Sequence, residues 1–338
     1  MTLRGKNNHY NVKFLKGYGI SISLKKNKLI LKNGYDFFSK QQEKEEWFAN
    51  RLPYEKIIIS GKGYISTEAM SVLSEHNRHV ILIDTYGNPV TFCEPVKSSL
   101  IATSYRIGQY DTFRDKSKCE YLSKQIILAK KESQLKLLKL IGSNVEQLPE
   151  QEHLSSKIYF QEFPKFIPEK YDFVSRNQSV IRNSKNDATD VINGLLNYGY
   201  AVLAGEISKF VLGVGLDPYF GFMHRSHTGF QPLVYDLIEP FRWLVDYTVF
   251  QIANHNDSRK RIRLKEFVHT TEGKVVLDYD LVRRFLEMLE RNFQKKRRCN
   301  YKFGLKTKDG LKSVQEITIA KMTVTNLVEY CIGKNTNF

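Results

Sequence analysis

Cysteine is scarce: four residues in 338, at Cys93, Cys119, Cys299 and Cys331, with no CxxC pair. That spacing argues against a disulfide framework and a cysteine-based zinc site, and in favour of reduced thiols in a reducing cytosol. No apolar run approaches the about 20 residues that a membrane span needs. The start, Met1-Thr-Leu-Arg-Gly-Lys6, lacks the apolar stretch of a signal peptide. There is no GxxxxGK(S/T) phosphate loop, so no nucleotide cofactor is implied. Internal repeats and low-complexity segments are absent too. What remains is a cytoplasmic protein with no membrane partner.

Acidic residues are outnumbered. Lys and Arg total 52 against 36 Asp and Glu, a formal charge of +16. Such a surplus favours a polyanionic partner, because each neutralised phosphate releases condensed counterions. Charge alone leaves DNA, RNA and an anionic membrane surface all open. Apolar residues make up 41% of the chain and aromatics 12%, which excludes a disordered or fibrous protein. The length suits two domains of about 100–200 residues each.

The first ninety or so residues read as strands. Ile20, Ile22 and Leu24 alternate with serines, and Leu29, Ile30 and Leu31 follow a polar turn at Lys25, Lys26 and Asn27. Asn33-Gly34 is a turn signal; Lys56–Ser60 is an apolar, β-branched run punctuated by Gly61 and Gly63. Ser66–His76 has helical spacing, and Val80–Asp84 is a further strand, ended by Gly87, Asn88 and Pro89. From about Leu100 the period becomes helical. Cys119–Ile141 suits a long amphipathic helix stopped by Gly142. Thr189–Val214 is apolar on nearly all sides and belongs at the centre of a bundle. Leu233–Ala253 is similar, and Tyr279–Phe293 and Thr318–Cys331 are further helices. The expected class is therefore α+β: a small β-rich domain over residues 1–92, then a larger all-α domain over 93–338.

Chemistry concentrates around Gly215–Arg242. Gly215 ends the central helix, Asp217-Pro218 opens a loop, and the loop presents His224 ahead of a helix beginning near Pro232. Asp236 and Glu239, three apart, share one face of that helix. A loop imidazole beside helical carboxylates makes an oxygen-rich, one-nitrogen donor set that suits Mg²⁺ or Mn²⁺ better than a structural zinc. The competing reading is purely structural: His224 as a hydrogen-bonded loop residue, and Glu239 in a surface pair with Arg242 worth about 0–1 kcal/mol. Tyr198 and Tyr200 suit core packing more than DNA contact, and His227 suits a solvated or DNA-facing loop. Two basic runs, Arg259-Lys-Arg261-Ile-Arg263-Leu-Lys265 and Arg291-Asn-Phe-Gln-Lys295-Lys296-Arg297-Arg298, match a phosphate track that reads no sequence. Each run alone also fits a solvated face.

Several segments in order resemble the core of Cas1 proteins. They are Asp190-Val-Ile-Asn193-Gly-Leu-Leu-Asn197-Tyr-Gly-Tyr200, Gly215-Leu-Asp-Pro218, Gly221-Phe-Met-His224 and Tyr235-Asp236-Leu-Ile-Glu239-Pro-Phe-Arg242. Gly61-Lys-Gly-Tyr-Ile-Ser66, Ile83-Asp84 and Gly87 are similar to that family's β domain. The resemblance implies a metal held by a Glu, a His and a third carboxylate, which fall on Glu152, His224 and Glu239. The family's Glu-Gly-x-x-Ala-x-x-Tyr-Phe pattern is met here by Glu152-His153-Leu-Ser-Ser156-Lys-Ile-Tyr159-Phe160, with His153 in place of the Gly and Ser156 in place of the Ala. Asp236 is then the residue that orients the ligands or an acid placed favourably against the helix dipole. Arg225 and Arg242 become candidates for the scissile phosphate, and Arg259, Arg261, Arg263, Lys295, Lys296, Arg297 and Arg298 for the wider DNA contact.

The implied activity is integration of short DNA fragments (prespacers) at the leader and repeat of a CRISPR array, part of antiviral defence. Its chemistry is transesterification by a 3′-hydroxyl, with nuclease activity when water replaces the hydroxyl. The helical domain is implied to be catalytic, the β domain to form a homodimer, and a Cas2 dimer to bridge two such dimers. Two alternatives stand beside it. One is a casposase, the transposon-borne relative, which commonly carries an extra DNA-binding extension; only seven residues follow Cys331, which argues against it. The other is a non-catalytic DNA-binding architectural protein.

Overall fold

A computed structural model of the chain describes residues 12–35, 42–54, 56–84, 89–93, 103–176, 188–224, 231–299 and 312–338. The N-terminal part is a six-stranded sheet built from β1 (Val12–Lys25), β2 (Lys28–Lys32), β3 (Lys44–Phe48), β4 (Lys56–Ile65), β5 (His79–Ile83) and β6 (Pro89–Cys93), in the order β3-β2-β1-β4-β5-β6. β1 and β2 form a hairpin through Lys26 and Asn27, both at positive φ, the conformation that two-residue turns need to match strand twist. β4 runs parallel to both β1 and β5. Gly61 and Gly63 do not end β4 as expected. The strand passes through them, and at Gly63 a Cβ would meet the Ile20 carbonyl oxygen at 1.9 Å, so only glycine fits where β1 shifts register. Asn33-Gly34 is no hairpin turn either: the Asn33 Oδ1 accepts from the Lys16 and Gly34 amides and pins the end of β2 to β1. Gly87 and Asn88 lie outside the described residues.

Strand alternation sends side chains to both faces of this sheet. Leu15, Ile22, Leu31, Ile57 and Ile59 pack under α1 (Thr67–Glu75), whose N-cap Ser66 accepts the Ala69 amide. Phe14, Ile58, Ile81 and Ile83 face the other way and belong to the main helical core. Sheet and helices are thus one packed body.

The helical part contains α2 (Thr103–Arg114), α3 (Lys116–Ile141), α4 (Glu152–Glu162), α5 (Val191–Val214), α6 (Pro232–Ile238), α7 (Arg242–Ala253), α8 (Tyr279–Gln294) and α9 (Glu316–Cys331). α3 is capped by Asp115 at its start and by left-handed Gly142 at its end. α5 is buried around nearly its whole circumference, as its apolar composition requires. Neighbours come close where it carries glycine: a Cβ on Gly205 would meet Ile81 Cδ1 at 2.6 Å, and one on Gly199 would meet Val245 Cγ1 at 2.3 Å. A buried ionic triad ties the layers together. Lys56 at the start of β4 reaches Glu206 of α5 at 2.9 Å and Glu290 of α8 at 3.0 Å. Burial opposes the Lys56 charge, and the two carboxylates outweigh that and raise its pKa.

Two sequence expectations need correction here. The continuous helix expected over Leu233–Ala253 is broken, because Pro240 cannot continue an α-helix; a 3₁₀ turn, Glu239–Phe241, separates α6 from α7. The second part is also not all-α. It carries a hairpin of β7 (Phe267–His269) and β8 (Val275–Leu277), and a second of β9 (Lys296–Cys299) and β10 (Lys312–Gln315). Strands of three or four residues are too short to show a period of two. The basic run Arg291–Arg298 crosses an element boundary: α8 stops at Gln294, close to the expected end at Phe293, and β9 begins at Lys296.

Candidate metal centre

The site is built where α3, α4, the 3₁₀ turn and the loop after α5 meet. Gly221 lets that loop lie against α6; a Cβ there would meet Asp236 Oδ2 at 2.7 Å and Pro232 Cβ at 2.8 Å. Asp236, fully buried, then accepts three successive backbone amides, from Phe222 and Met223 on Oδ2 (2.8 and 3.0 Å) and from His224 on Oδ1 (2.9 Å). The same Oδ1 lies 2.6 Å from His224 Nδ1. This hydrogen bond raises the His224 pKa, against partial burial. In the neutral ring it places the proton on Nδ1 and the lone pair on Nε2.

The helix break changes what Glu239 does. On the 3₁₀ turn its carboxylate meets Arg242 through Oε1 at 2.8 Å and Lys130 through Oε2 at 2.8 Å, and it is almost fully buried. Asp236 and Glu239 therefore do not act as one pair of side chains on a common face: the first holds the loop, the second faces α3. Burial works to raise the Glu239 carboxyl, and Arg242, Lys130 and His224 together overcome it, keeping the group an anion below its ordinary pKa. Glu152, the first residue of α4, reaches the other side of the same ammonium, Lys130 Nζ to Oε1 at 2.9 Å. Its side chain is partly exposed and opens on a cleft of about 540 Å³ lined by Lys116, Ser123, Lys124, Phe222 and Met223 among others. Burial lowers the Lys130 pKa less than the two carboxylates raise it.

Glu152 and Glu239 are thus brought to one cation, and His224 is placed within electrostatic range of Glu239. With the ammonium in place, no three His, Cys, Asp or Glu side chains among the described residues close into a metal-ready cluster. The donor chemistry nonetheless fits a hard divalent cation: one buried anionic carboxylate, a second partly exposed, an imidazole whose far nitrogen can coordinate, and a lysine ammonium as a stand-in cation between the carboxylates. No sequence reading picked out Lys130. Also unforeseen is the base beneath Arg242. Asp246, buried, accepts the hydroxyls of Tyr159 (2.6 Å) and Tyr200 (2.5 Å), and the guanidiniums of Arg242 and Arg176 lie 4.9 and 5.3 Å from the Tyr200 ring centre. Tyr198 and Tyr200 are buried, in keeping with core packing.

The remaining candidates divide. Arg259 is exposed and Arg261 half-buried, with Lys260 between them exposed as well. Arg263 is committed to Glu266, which it binds through Nε and one terminal nitrogen, and Arg297 to Glu316 at 2.8 Å. Lys295, Lys296 and Arg298 are exposed, Lys295 lying over the Tyr247 ring. Arg242 is paired with Glu239, and its side chain is half-buried. Arg225 and His227 lie outside the described residues. Cys93, Cys119 and Cys331 are thiols, and no described helix is long and apolar enough to cross a membrane.

The sequence profile described as CRISPR associated protein Cas1 matches residues 14–147 and 140–291. The chain belongs to the Cas1 family. Among its relatives, the CRISPR-associated endonuclease Cas1 2 of Saccharolobus solfataricus is 28% identical over 239 residues, covering 68% of this chain and 71% of the relative. The CRISPR-associated endonuclease Cas1 1 of Archaeoglobus fulgidus is 29% identical over 239 residues, 59% of this chain and 68% of the relative. Among solved structures, a casposase bound to integration product superposes with a TM-score of 0.82 at 26% identity, over 97% of this chain and 92% of that one. A Cas1 protein from Thermotoga maritima gives 0.72 at 15% identity, over 95% and 97%, and a Cas6-RT-Cas1–Cas2 complex gives 0.69 at 17% identity, over 97% of this chain and 35% of that one. This Cas1 protein is accordingly a CRISPR-associated enzyme of the nuclease and integrase class.

Proposed function

We propose that this Cas1 protein inserts short DNA fragments into a CRISPR array by transesterification, using Mg²⁺ or Mn²⁺ held by Glu152, His224 and Glu239. The observation that carries the reading is the gripping of one cation by Glu152 and Glu239, beside an imidazole fixed by Asp236. A bound metal supplies Lewis-acid stabilisation of charge on the phosphoryl oxygens and lowers the pKa of the attacking hydroxyl. The protein's own share is positional. Asp236 fixes the His224 ring, Arg242 keeps Glu239 anionic and in place, and Asp246 with Tyr200 keeps Arg242 from swinging. The 3′-oxygen of the fragment forms the new P–O bond, the old 3′-oxygen of the repeat leaves as an alcohol, and the bond count is unchanged. Water in place of the 3′-hydroxyl gives nicking.

DNA is the proposed partner because the net charge is +16 and the basic residues Arg259, Lys260, Lys295, Lys296 and Arg298 are exposed. The casposase neighbour's integration product and the Cas2 of the complex neighbour support DNA and Cas2 as partners. The sheet, with Tyr18, Tyr35 and Tyr64 strongly exposed, is the proposed homodimer surface, and residues 1–92 and 93–338 the proposed division between pairing and catalysis. Cytoplasmic action accords with the absence of a membrane-crossing helix among the described residues. A second reading, a casposase-like transposon integrase, is favoured by the TM-score of 0.82 to the casposase; targets with and without a CRISPR repeat separate the two.

The test supplies 3′-OH duplex ends, a supercoiled repeat-bearing target, Cas2 and Mn²⁺ or Mg²⁺, and compares wild type with Glu239→Gln. The wild type is expected to join strands and the variant to lose at least about a hundredfold in rate, with DNA binding retained. Equal product from both proteins rejects the metal centre. No product from the wild type favours the silent architectural binder.

A further inference from the structure

Lys130 is not among the residues that the metal reading needs, yet it occupies the middle of them. It projects from α3 and contacts a carboxylate oxygen on α4 at 2.9 Å and another on the 3₁₀ turn at 2.8 Å, with its side chain only 12% exposed. These are long-range contacts between three separate elements, not neighbouring pairs along one helix. A lysine head is a compact point charge with no planar fork to satisfy. A Mg²⁺–oxygen bond is about 2.0–2.1 Å, so each carboxylate oxygen would need to close in by less than about 1 Å to grip a dication centred where the nitrogen lies. Ammonium and dication exclude one another from that volume, by size and by like charge.

The two cations around Glu239 are not equivalent. Arg242 binds Oε1 and stacks its guanidinium over Tyr200, which Asp246 in turn holds by its hydroxyl. Lys130 binds Oε2 and ends a flexible four-carbon stem, and its other partner, Glu152, borders the open cleft beside α3. Arg242 is braced by an aromatic ring as well as by the carboxylate, whereas Lys130 is held by the two carboxylates.

We propose that Lys130 is the internal counter-ion of the metal centre: its ammonium holds Glu152 and Glu239 together in the metal-free protein and is displaced when the divalent cation enters. The inference rests on the metal reading above and adds to it an exchange, one ammonium out for one dication in. It makes metal affinity a difference between two cations for one pair of carboxylates, so the native protein binds metal more weakly than its ligands alone would allow. Neutralising Lys130 removes the competitor and leaves the carboxylates to the metal.

Mn²⁺ binding to the full chain without DNA, followed by electron paramagnetic resonance and calorimetry, tests this in wild type, Lys130→Met, Lys130→Arg and Glu239→Gln. Thermal melts in chelator check folding, and Lys130→Gln is read in the same way where the methionine variant does not fold. The expected result is one Mn²⁺ per chain, bound about tenfold or more tightly by Lys130→Met than by wild type, no more tightly by Lys130→Arg, and lost in Glu239→Gln. Equal or weaker binding by Lys130→Met, with wild-type binding that Glu239→Gln abolishes, overturns the counter-ion role and leaves the metal centre standing. A matching gain in Lys130→Arg points to packing instead of charge and also overturns it. No Mn²⁺ bound by wild type or by Lys130→Met at millimolar concentration removes both ideas.

Discussion

Asp236 spends one carboxylate on four donors, the amides of Phe222, Met223 and His224 and the His224 ring. Asparagine at this position keeps a single acceptor oxygen and turns an NH₂ group toward donors. Asp236→Asn is therefore expected to slow strand transfer by about 10–100-fold, the usual cost of losing the partner that orients a ligand, while DNA binding stays within a factor of about two. A time course of product formation under saturating DNA decides it; an unchanged rate means that the loop holds His224 by itself. The partnership of Asp236 with His224 was legible in the sequence as one of two readings, beside an acid set against the helix dipole, because both residues lie within one short segment. Lys130 was not. Nothing marks one lysine among several on α3, and its two partners come from elements that only the tertiary fold brings together.

Among the elements, the stretch from α6 to α7 shows why periodicity reads length better than breaks. Apolar residues continue on both sides of Pro240, so Leu233–Ala253 has the pattern of one helix, although the proline forbids it and the resulting 3₁₀ turn is what aims Glu239 at α3. α5, by contrast, was legible almost to the residue, since an all-round apolar stretch between Asp190 and Gly215 leaves few other structures. The β7–β8 and β9–β10 hairpins were invisible for lack of length. At the entry to β7, Glu266 accepts from Arg284 at 2.9 and 2.8 Å and from Arg263. Burial alone would raise this carboxyl; the hydrogen bonds from Arg284 and Arg263 bring it down to about 2. A depressed folded-state pKa stabilises above the unfolded value, ordinarily near 4.3, and the contribution fades as pH falls toward 2. Urea midpoints measured across that window are expected to decline more for wild type than for Glu266→Gln, which has no proton to take up there. Parallel curves for the two proteins would contradict this assignment.

For the molecule as a whole, the Lys56–Glu206–Glu290 triad crosses from the sheet to two helices with all three side chains buried. Removing the lysine strands two carboxylates away from water, so Lys56→Met is expected to cost about 3–5 kcal/mol in urea unfolding. Replacing all three residues by apolar ones of similar size recovers most of that loss, because the ion triad itself is close to neutral in net worth. A loss below about 1 kcal/mol for the single variant rejects the triad as a tie between the layers. The α+β class was legible from the change of period near Leu100, but this tie was not, since Lys56 opens a strand that otherwise reads as plain hydrophobic.

The glycine at 205, where α5 comes down on Ile81, carries a practical lesson for anyone who wishes to shorten this protein. The helical part expressed without the strands would present an oily slot to the solvent in place of a lid, together with acids missing their lysine. It would be expected to clump before it could be assayed.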